Sequence, residues 1–328
     1  MRGAAGMAAP FGEKRNCMLL LDELIAGTRK HVLKRLWVIS DLQQRYPDRA
    51  TKCMTTAVSD FLDLGLSVDA ICYLGDATEG DDPDYIHQMT EMQERELSKI
   101  DAPIYYTVGN HDFDYFRAYH EKLGRMCLPF VEYVRQFPQW HMPESISEMA
   151  YKVDFGEFAA YFLTDHADPS GSWFTSHGLV RGNEEAYPYT PEDYRKLMDQ
   201  VAQEGKPVIT FSHYSFAGGN RAAPLFDQFL PLPDNLRIHF YGHAHIGDHV
   251  WAGKDCHRKI ACVDNQPIMQ IDVASLESGR GSAIRSILLE WYDTHEIGIL
   301  FRNHSLHCWD NLLVNREGDG SRVEPYRN

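Results

Sequence analysis

The sequence has no apolar stretch near the roughly 18 residues that a membrane-spanning helix requires. Its run Met18–Leu21 is broken by Asp22 and Glu23 and makes a poor signal-peptide core. C-x-x-C pairs are also missing. The seven cysteines (Cys17, Cys53, Cys72, Cys127, Cys256, Cys262 and Cys308) are scattered and odd in number. That distribution indicates neither a disulfide framework nor a zinc ribbon, and it fits a reducing compartment, the cytoplasm. Positive charge is scarce as well. A formal net charge of −15 disfavours broad attraction to a nucleic-acid duplex or an anionic membrane. It leaves room for a small anionic substrate, because bound cations reverse a local potential. Internal repeats, low-complexity tracts and interdomain linkers are absent, and nothing signals an oligomeric state.

What is present is a chain of 328 residues, 44% apolar and 24% charged, enough for a sizeable core. Residues 19–35 carry apolar positions near helical spacing, after an Ala/Gly-rich start over residues 1–10. Leu36–Ile39, Ala70–Leu74 and Pro103–Val108 read as strands, with helices over Ala50–Leu64 and Asp84–Lys99 between them. This alternation predicts an α/β sandwich. A hairpin is expected from Ala150–Asp154 and Phe158–Thr164, and a helix over Pro191–Glu204 capped by Thr190. Further strands are expected at Pro207–Phe211, Arg237–Tyr241, Ile268–Val273, Ile284–Tyr292 and Glu296–Arg302, the last three as antiparallel members of a second sheet. Two long aromatic-rich connections, 115–150 and 165–190, read as lid-like insertions. The expected organisation is a tail and helix over 1–30, one domain over 31–313, and a polar tail over 314–328.

Five strand-like runs are each followed at once by residues able to ligate a metal. Ile39 leads into Ser40-Asp41-Leu42-Gln43, and Leu74 into Gly75-Asp76. Val108 leads into Gly109-Asn110-His111-Asp112, Phe211 into Ser212-His213, and Tyr241 into Gly242-His243-Ala244-His245. Adjacent strand ends of an open α/β sheet converge on one crevice. Glycines 75, 109 and 242 permit tight turns immediately before the ligands. Mixed oxygen and imidazole donors suit divalent Mn, Fe or Zn, with Mg as a harder candidate. Two such ions about 3.5–4 Å apart activate water and neutralise a phosphoryl group.

The five clusters in this order resemble the calcineurin-like metallophosphoesterase signature, over about residues 36–300. The resemblance implies a four-layer α/β sandwich, two mixed β-sheets flanked by helices, with two divalent metal ions at the strand ends. It implies that Asp41, Asp76 and His245 hold the first ion with Gln43 beside them. Asp76 would bridge to a second ion held also by Asn110, His213 and His243. His111 would contact the phosphate and act as general acid, with Asp112 either orienting it or standing at a helix start. A hydroxide bridging the ions would attack phosphorus in line. The first cluster departs from the usual Asp-x-His. Asp41-Leu42-Gln43 is similar to a branch that includes manganese-dependent ADP-ribose/CDP-alcohol diphosphatases, and an amide carbonyl is a weaker donor than imidazole.

The implied activity is hydrolysis of a phosphodiester, phosphomonoester or nucleotide pyrophosphate of a small phosphorylated metabolite or nucleotide. Phosphoprotein phosphatase activity and a catalytically silent metal-binding scaffold are the alternatives. The lid-like insertions favour a small substrate, and His111 favours catalysis. His166, His177, His249 and His257 lack comparable support. Trp173, Phe174, Tyr187, Tyr189, Arg181 and Arg221 read first as packing or surface residues, and His304 and His307 as peripheral.

Overall fold

The computed structural model describes residues 31–79, 83–109, 111–113, 133–142, 150–163, 172–175, 178–181, 191–213, 232–243, 245, 258–263, 266–278 and 283–315. The expected N-terminal helix, Asn110, the cap Thr190 and most of both insertions lie outside these residues. Residues 32–35, read as the end of that helix, instead belong to the first strand.

Two mixed sheets form the centre of the fold. The first comprises β1 (Val32–Ile39), β2 (Ala70–Tyr73), β3 (Ile104–Tyr106), β4 (Trp140–His141), β13 (Arg285–Tyr292), β14 (Ile297–Asn303) and β15 (Cys308–Asn315). They lie in the order β15-β14-β13-β1-β2-β3-β4. Strands β1 to β4 run parallel, while β13 to β15 add antiparallel to the other side of β1. The second sheet comprises β5 (Ala150–Asp154), β6 (Ala159–Leu163), β9 (Val208–Ser212), β10 (Leu236–Tyr241), β11 (Arg258–Val263) and β12 (Gln266–Asp272). Its order is β11-β12-β10-β9-β6-β5. Within it β6, β9, β10 and β12 are parallel, with β5 and β11 antiparallel at the edges. A separate hairpin, β7 (Ser172–Thr175) and β8 (Gly178–Arg181), lies within the second of the two lid-like insertions.

Three of these assignments correct the sequence reading. Strand β12 is parallel to β10, not antiparallel. Strands β13 and β14 extend the first sheet rather than the second. The chain expected to become a polar tail after residue 313 is still strand β15 through Asn315. Continuous apolar runs show that a strand is buried on both faces but carry no sheet membership, which long-range pairing decides.

Alternation along the strands divides the core into layers. Leu36 and Val38 face the second sheet and join Phe162, Phe211, Phe240 and Trp291 between the sheets. Trp37 and Ile39 face the opposite way, towards α1 (Pro47–Asp63). There the Trp37 ring stacks on Phe61 with centroids 4.5 Å apart. Ile71 and Tyr73 share this outer layer with α2 (Pro83–Leu97), and Tyr161 and Leu163 with α3 (Pro191–Ala202). Each fully buried large side chain contributes roughly 1.5–3 kcal/mol, so the two layers hold the parallel strands firmly. Helix α1 begins with Pro47, whose fixed φ suits the first turn, and its end is followed by Gly65 at φ 64°. The helix is thereby fixed at both ends.

Candidate metal centre

The parallel strands deliver five chain segments to one edge of the sandwich. Backbone bonds stitch the first two together: Asp41 N–H donates to the Gly75 carbonyl at 3.1 Å, and Gln43 N–H to the Asp76 carbonyl at 3.0 Å. Asp41, Asp76, His243 and His245 all have left-handed backbones, with φ 54°, 52°, 66° and 45°. Such conformations are uncommon outside glycine and cluster where a site demands a particular side-chain direction. Gly75, at φ 83°, makes the turn before Asp76. Gly242 is required by proximity, because a Cβ there would lie 2.0 Å from Ser40 Oγ.

Asp76, His213 and His243 form one group whose donor atoms all lie within 4.8 Å of one another, and Asp41, Asp76 and His245 form a second. Asp76 belongs to both. His213 Nε2 stands 3.2 Å from Asp76 Oδ2, and His245 Nε2 stands 3.0 Å from Asp41 Oδ1. His213 Nδ1 lies 2.7 Å from the Leu74 carbonyl, which accepts its proton, so that in the neutral ring Nε2 carries the inward lone pair. Asp41 and Asp76 are fully buried. Main-chain donors brace them: His243 N–H bonds Asp41 Oδ2 at 3.0 Å and His111 N–H bonds Asp76 Oδ1 at 2.7 Å.

Burial of this much charge shifts its titration. For Asp41 and Asp76 burial raises the pKa, but neighbouring imidazoles outweigh it and hold both below the carboxylate range, His245 for Asp41 and His213 for Asp76. Burial lowers His213, yet Asp76 lifts it to about 9. His243 falls to about 3, through burial and the adjacent His213. Buried anions faced by imidazole Nε2 atoms match the donor chemistry of borderline divalent cations.

Gln43 is buried, with its amide nitrogen 3.2 Å from His245 Nε2. A half-turn of the amide presents its carbonyl oxygen instead, the atom able to ligate a cation. His111 is nearly buried and begins a single 3₁₀ turn, with Nδ1 3.6 Å from Glu79 Oε2. Arg45 approaches the other oxygen of Glu79, also at 3.6 Å. Asp112 is held by four donors. Its Oδ2 accepts from Tyr106 Oη and Gly109 N–H, both at 2.6 Å, and from Asp76 N–H at 3.2 Å; its Oδ1 accepts from Ala77 N–H at 3.2 Å. It therefore ties the second and third loops together. Burial and nearby Asp76 push its pKa up to about 7 against these donors.

The structure thus brings Asp41, Gln43, Asp76, His111, Asp112, His213, His243 and His245 to one place; Asn110 lies outside the described residues. Two carboxylates were missed by sequence reasoning. Glu79 follows Asp76 by three residues, a spacing that could have suggested it. Glu277, whose Oε2 is 3.1 Å from His245 Nδ1, gave no local signal. His304 and His307, expected to be peripheral, instead meet at Asp60 on α1, and His304 is fully buried.

Comparison with known proteins agrees with this geometry. Residues 34–247 match the family described as calcineurin-like phosphoesterase. Among solved structures, the purple acid phosphatase PPD1 from yellow lupin (Lupinus luteus) seeds is similar at 14% identity and TM-score 0.51. That match covers 87% of this chain and 54% of the lupin chain, so this chain spans about half the length of the lupin enzyme. TT1561 of Thermus thermophilus matches at 11% identity and TM-score 0.44, over 87% of this chain and 99% of its own. The NAD nucleotidase of Haemophilus influenzae matches at 10% identity and TM-score 0.44, over 90% and 49%. No curated protein matches the sequence.

Proposed function

Because the chain belongs to the calcineurin-like phosphoesterase family, we propose that its strand-end centre takes two divalent cations and hydrolyses a phosphate ester or nucleotide pyrophosphate of a small substrate. Family membership carries the reaction class, metal-dependent phosphoester hydrolysis. The observation supporting two ions is the sharing of Asp76 by both ligand groups, since one carboxylate can use its two oxygens on two cations. Asp41 and His245 would complete one position with Gln43 beside them, and His213 and His243 the other. Asn110 is assigned to the second position by its place in the sequence. Bound ions would supply an activated water and neutralise charge on the phosphoryl oxygens.

The chain's own groups set up the remainder. The Leu74 carbonyl fixes the His213 tautomer, and Asp112 holds the turns that carry Asp76 and Gly109. His111, with Nδ1 towards Glu79, is the proton donor to the departing oxygen. The test uses metal-free protein supplied with Mn, Zn, Fe or Mg, assayed on bis-p-nitrophenyl phosphate and p-nitrophenyl phosphate. His111→Ala should bind the same number of ions and lose roughly 10²–10⁴-fold in turnover, the usual worth of general acid–base catalysis. Unchanged turnover removes His111 from the chemistry. Tight metal binding with no turnover of either ester by the wild type favours the scaffold reading.

A further inference from the structure

We propose that Glu277 is a positioning residue that sets the affinity of one of the two cation sites, the one built from Asp41, Asp76 and His245; this rests on the two-cation reading above. Its Oε2 lies 3.1 Å from His245 Nδ1, and both side chains are 7% exposed. The other ring nitrogen, Nε2, stands 3.0 Å from Asp41 Oδ1. Glu277 therefore acts from the far side of the ring, and it is absent from the group formed by Asp41, Asp76 and His245. At this distance Glu277 Oε2 and His245 Nδ1 make an ion-pair contact that is not aligned as a hydrogen bond. A small turn of either side chain lets the carboxylate accept the Nδ1 proton, which commits the imidazole to one tautomer with its lone pair at Nε2. It also makes that nitrogen a better donor to a cation.

The arrival of Glu277 at this place follows from topology. Strand β12 lies parallel to β10, with Phe240 opposite Ile271 and Tyr241 opposite Asp272. Its end therefore emerges beside the end that carries His243 and His245, as a sixth strand end at the same edge. Beyond it the chain is irregular yet buried from Val273 to Glu277. Irregular backbone normally lies at the surface, because its polar groups need water. Here they are satisfied by the site itself. Val273 N–H bonds the Tyr241 carbonyl at 2.8 Å, Leu276 N–H the Ser40 carbonyl at 2.9 Å and Glu277 N–H the Asp41 carbonyl at 3.0 Å. Ala274 takes a left-handed φ of 65° to complete the path, a conformation that costs a non-glycine residue about 1–3 kcal/mol. The segment is thus clasped to the backbone of one ligand, Asp41, while its side chain orients another, His245.

Gln43 gives this arrangement its weight. Its amide, 3.2 Å from His245 Nε2, is neutral. The second charge acting through this imidazole comes from Glu277. The other group lacks such an arrangement at His213, whose Nδ1 faces a neutral backbone carbonyl. The two sites should therefore respond differently to loss of the Glu277 charge.

The experiment is a calorimetric titration of metal-free full chain with manganese(II), for wild type, Glu277→Gln, Glu277→Ala, His245→Ala and the double variant His245→Ala/Glu277→Gln. Expected are two ions in the wild type and one site weakened about 10–100-fold in the Glu277 variants, the usual cost of losing an outer partner. The other site and the metal-free melting temperature should stay unchanged, and Glu277→Gln should add nothing once His245 is gone. Glu277→Gln keeps the side-chain shape, so the question survives if Glu277→Ala fails to fold. Wild-type affinity at both sites in the Glu277 variants overturns the proposal. So does equal weakening of both sites with a lowered metal-free melting temperature, which marks ordinary packing. A wild type that binds fewer than two ions overturns the two-cation reading instead.

Discussion

Two buried clusters in this protein use the same residue types to opposite ends. At the strand ends, Asp41 and Asp76 face imidazole Nε2 atoms, while the Nδ1 atoms of His213 and His245 are directed outwards to Leu74 and Glu277. Around Asp60 the rings are reversed: His304 and His307 both present Nδ1 to the carboxylate, at 2.8 and 2.6 Å. Arg302 adds a fork of two bonds to Asp60, each 2.7 Å. From His304 Nε2 the contacts continue to Ser286 Oγ at 2.7 Å, and Trp37 Nε1–H donates to that hydroxyl at 2.8 Å. Every donor in this chain meets an acceptor when His304 is neutral, and burial lowers its pKa accordingly. A fixed guanidinium neutralises Asp60 within the fold. The charged groups acting most strongly on Asp41 are the His245 and His213 imidazoles and Asp76, and those on Asp76 are the imidazoles of His213, His111 and His243, with no guanidinium among them. Ring orientation and the presence of arginine separate a lock from a socket.

The comparison breaks most sharply at the two aspartates. Asp76→Asn should abolish uptake of both ions, because its carboxylate is common to both groups. Turnover should fall beyond the roughly 10–100-fold that loss of an outer partner costs, with the metal-free fold retained by circular dichroism. Retention of one tightly bound ion would show that Asp76 does not bridge.

Asp60→Ala should do the reverse. Removing one partner of a buried ion pair costs about 3–5 kcal/mol, because Arg302 is left buried. Denaturant midpoints should drop while the protein still folded binds metal normally. The pH dependence has a definite sign. Asp60 is held below its ordinary 3.8 despite burial, chiefly by His304 and Arg302. Its stabilisation is present above pH 3.8 and is lost as pH falls through the depressed folded value. Asp60→Asn should therefore flatten the acid limb of the stability curve below about pH 4. An unchanged acid limb would mean that other carboxylates govern acid unfolding.

How far each cluster was legible in the sequence follows the same division. The strand-end candidate ligands could be read because each sits directly behind an apolar run, where chain direction alone predicts convergence. Glu277 could not, because reaching it depends on β12 being parallel to β10, and an apolar run does not reveal its pairing partner. The Asp60 cluster was invisible for a stronger reason. It joins Asp60, in the last turn of α1, to residues more than 240 positions away, and Asp60 resembles any helical aspartate until α1 is packed on β14. Strands and helices of the parallel half were legible from periodicity; β11, β15 and the sheet membership of β13 and β14 were decided by pairing at a distance.

The finest test compares two buried serines, one in each cluster. Ser286 Oγ accepts from Trp37 Nε1–H and lies against His304 Nε2. Ser40 Oγ lies 2.5 Å from Asp41 Oδ2 and 3.0 Å from the Leu74 carbonyl. Alanine fills nearly the same space at either position, so packing changes little and the polar contact is isolated. Ser286→Ala strands the buried Trp37 donor and should cost about 1–3 kcal/mol of stability without touching metal affinity. Ser40→Ala removes a hydroxyl from a ligand oxygen and should appear chiefly as weaker manganese binding at the Asp41 position, within the roughly 10–100-fold range of an outer partner. Thermal melts of the metal-free variants, set beside their manganese titrations, read both quantities. If Ser286→Ala weakened metal binding as much as Ser40→Ala, the two clusters would be one coupled unit, and ring orientation alone would not divide structure from function.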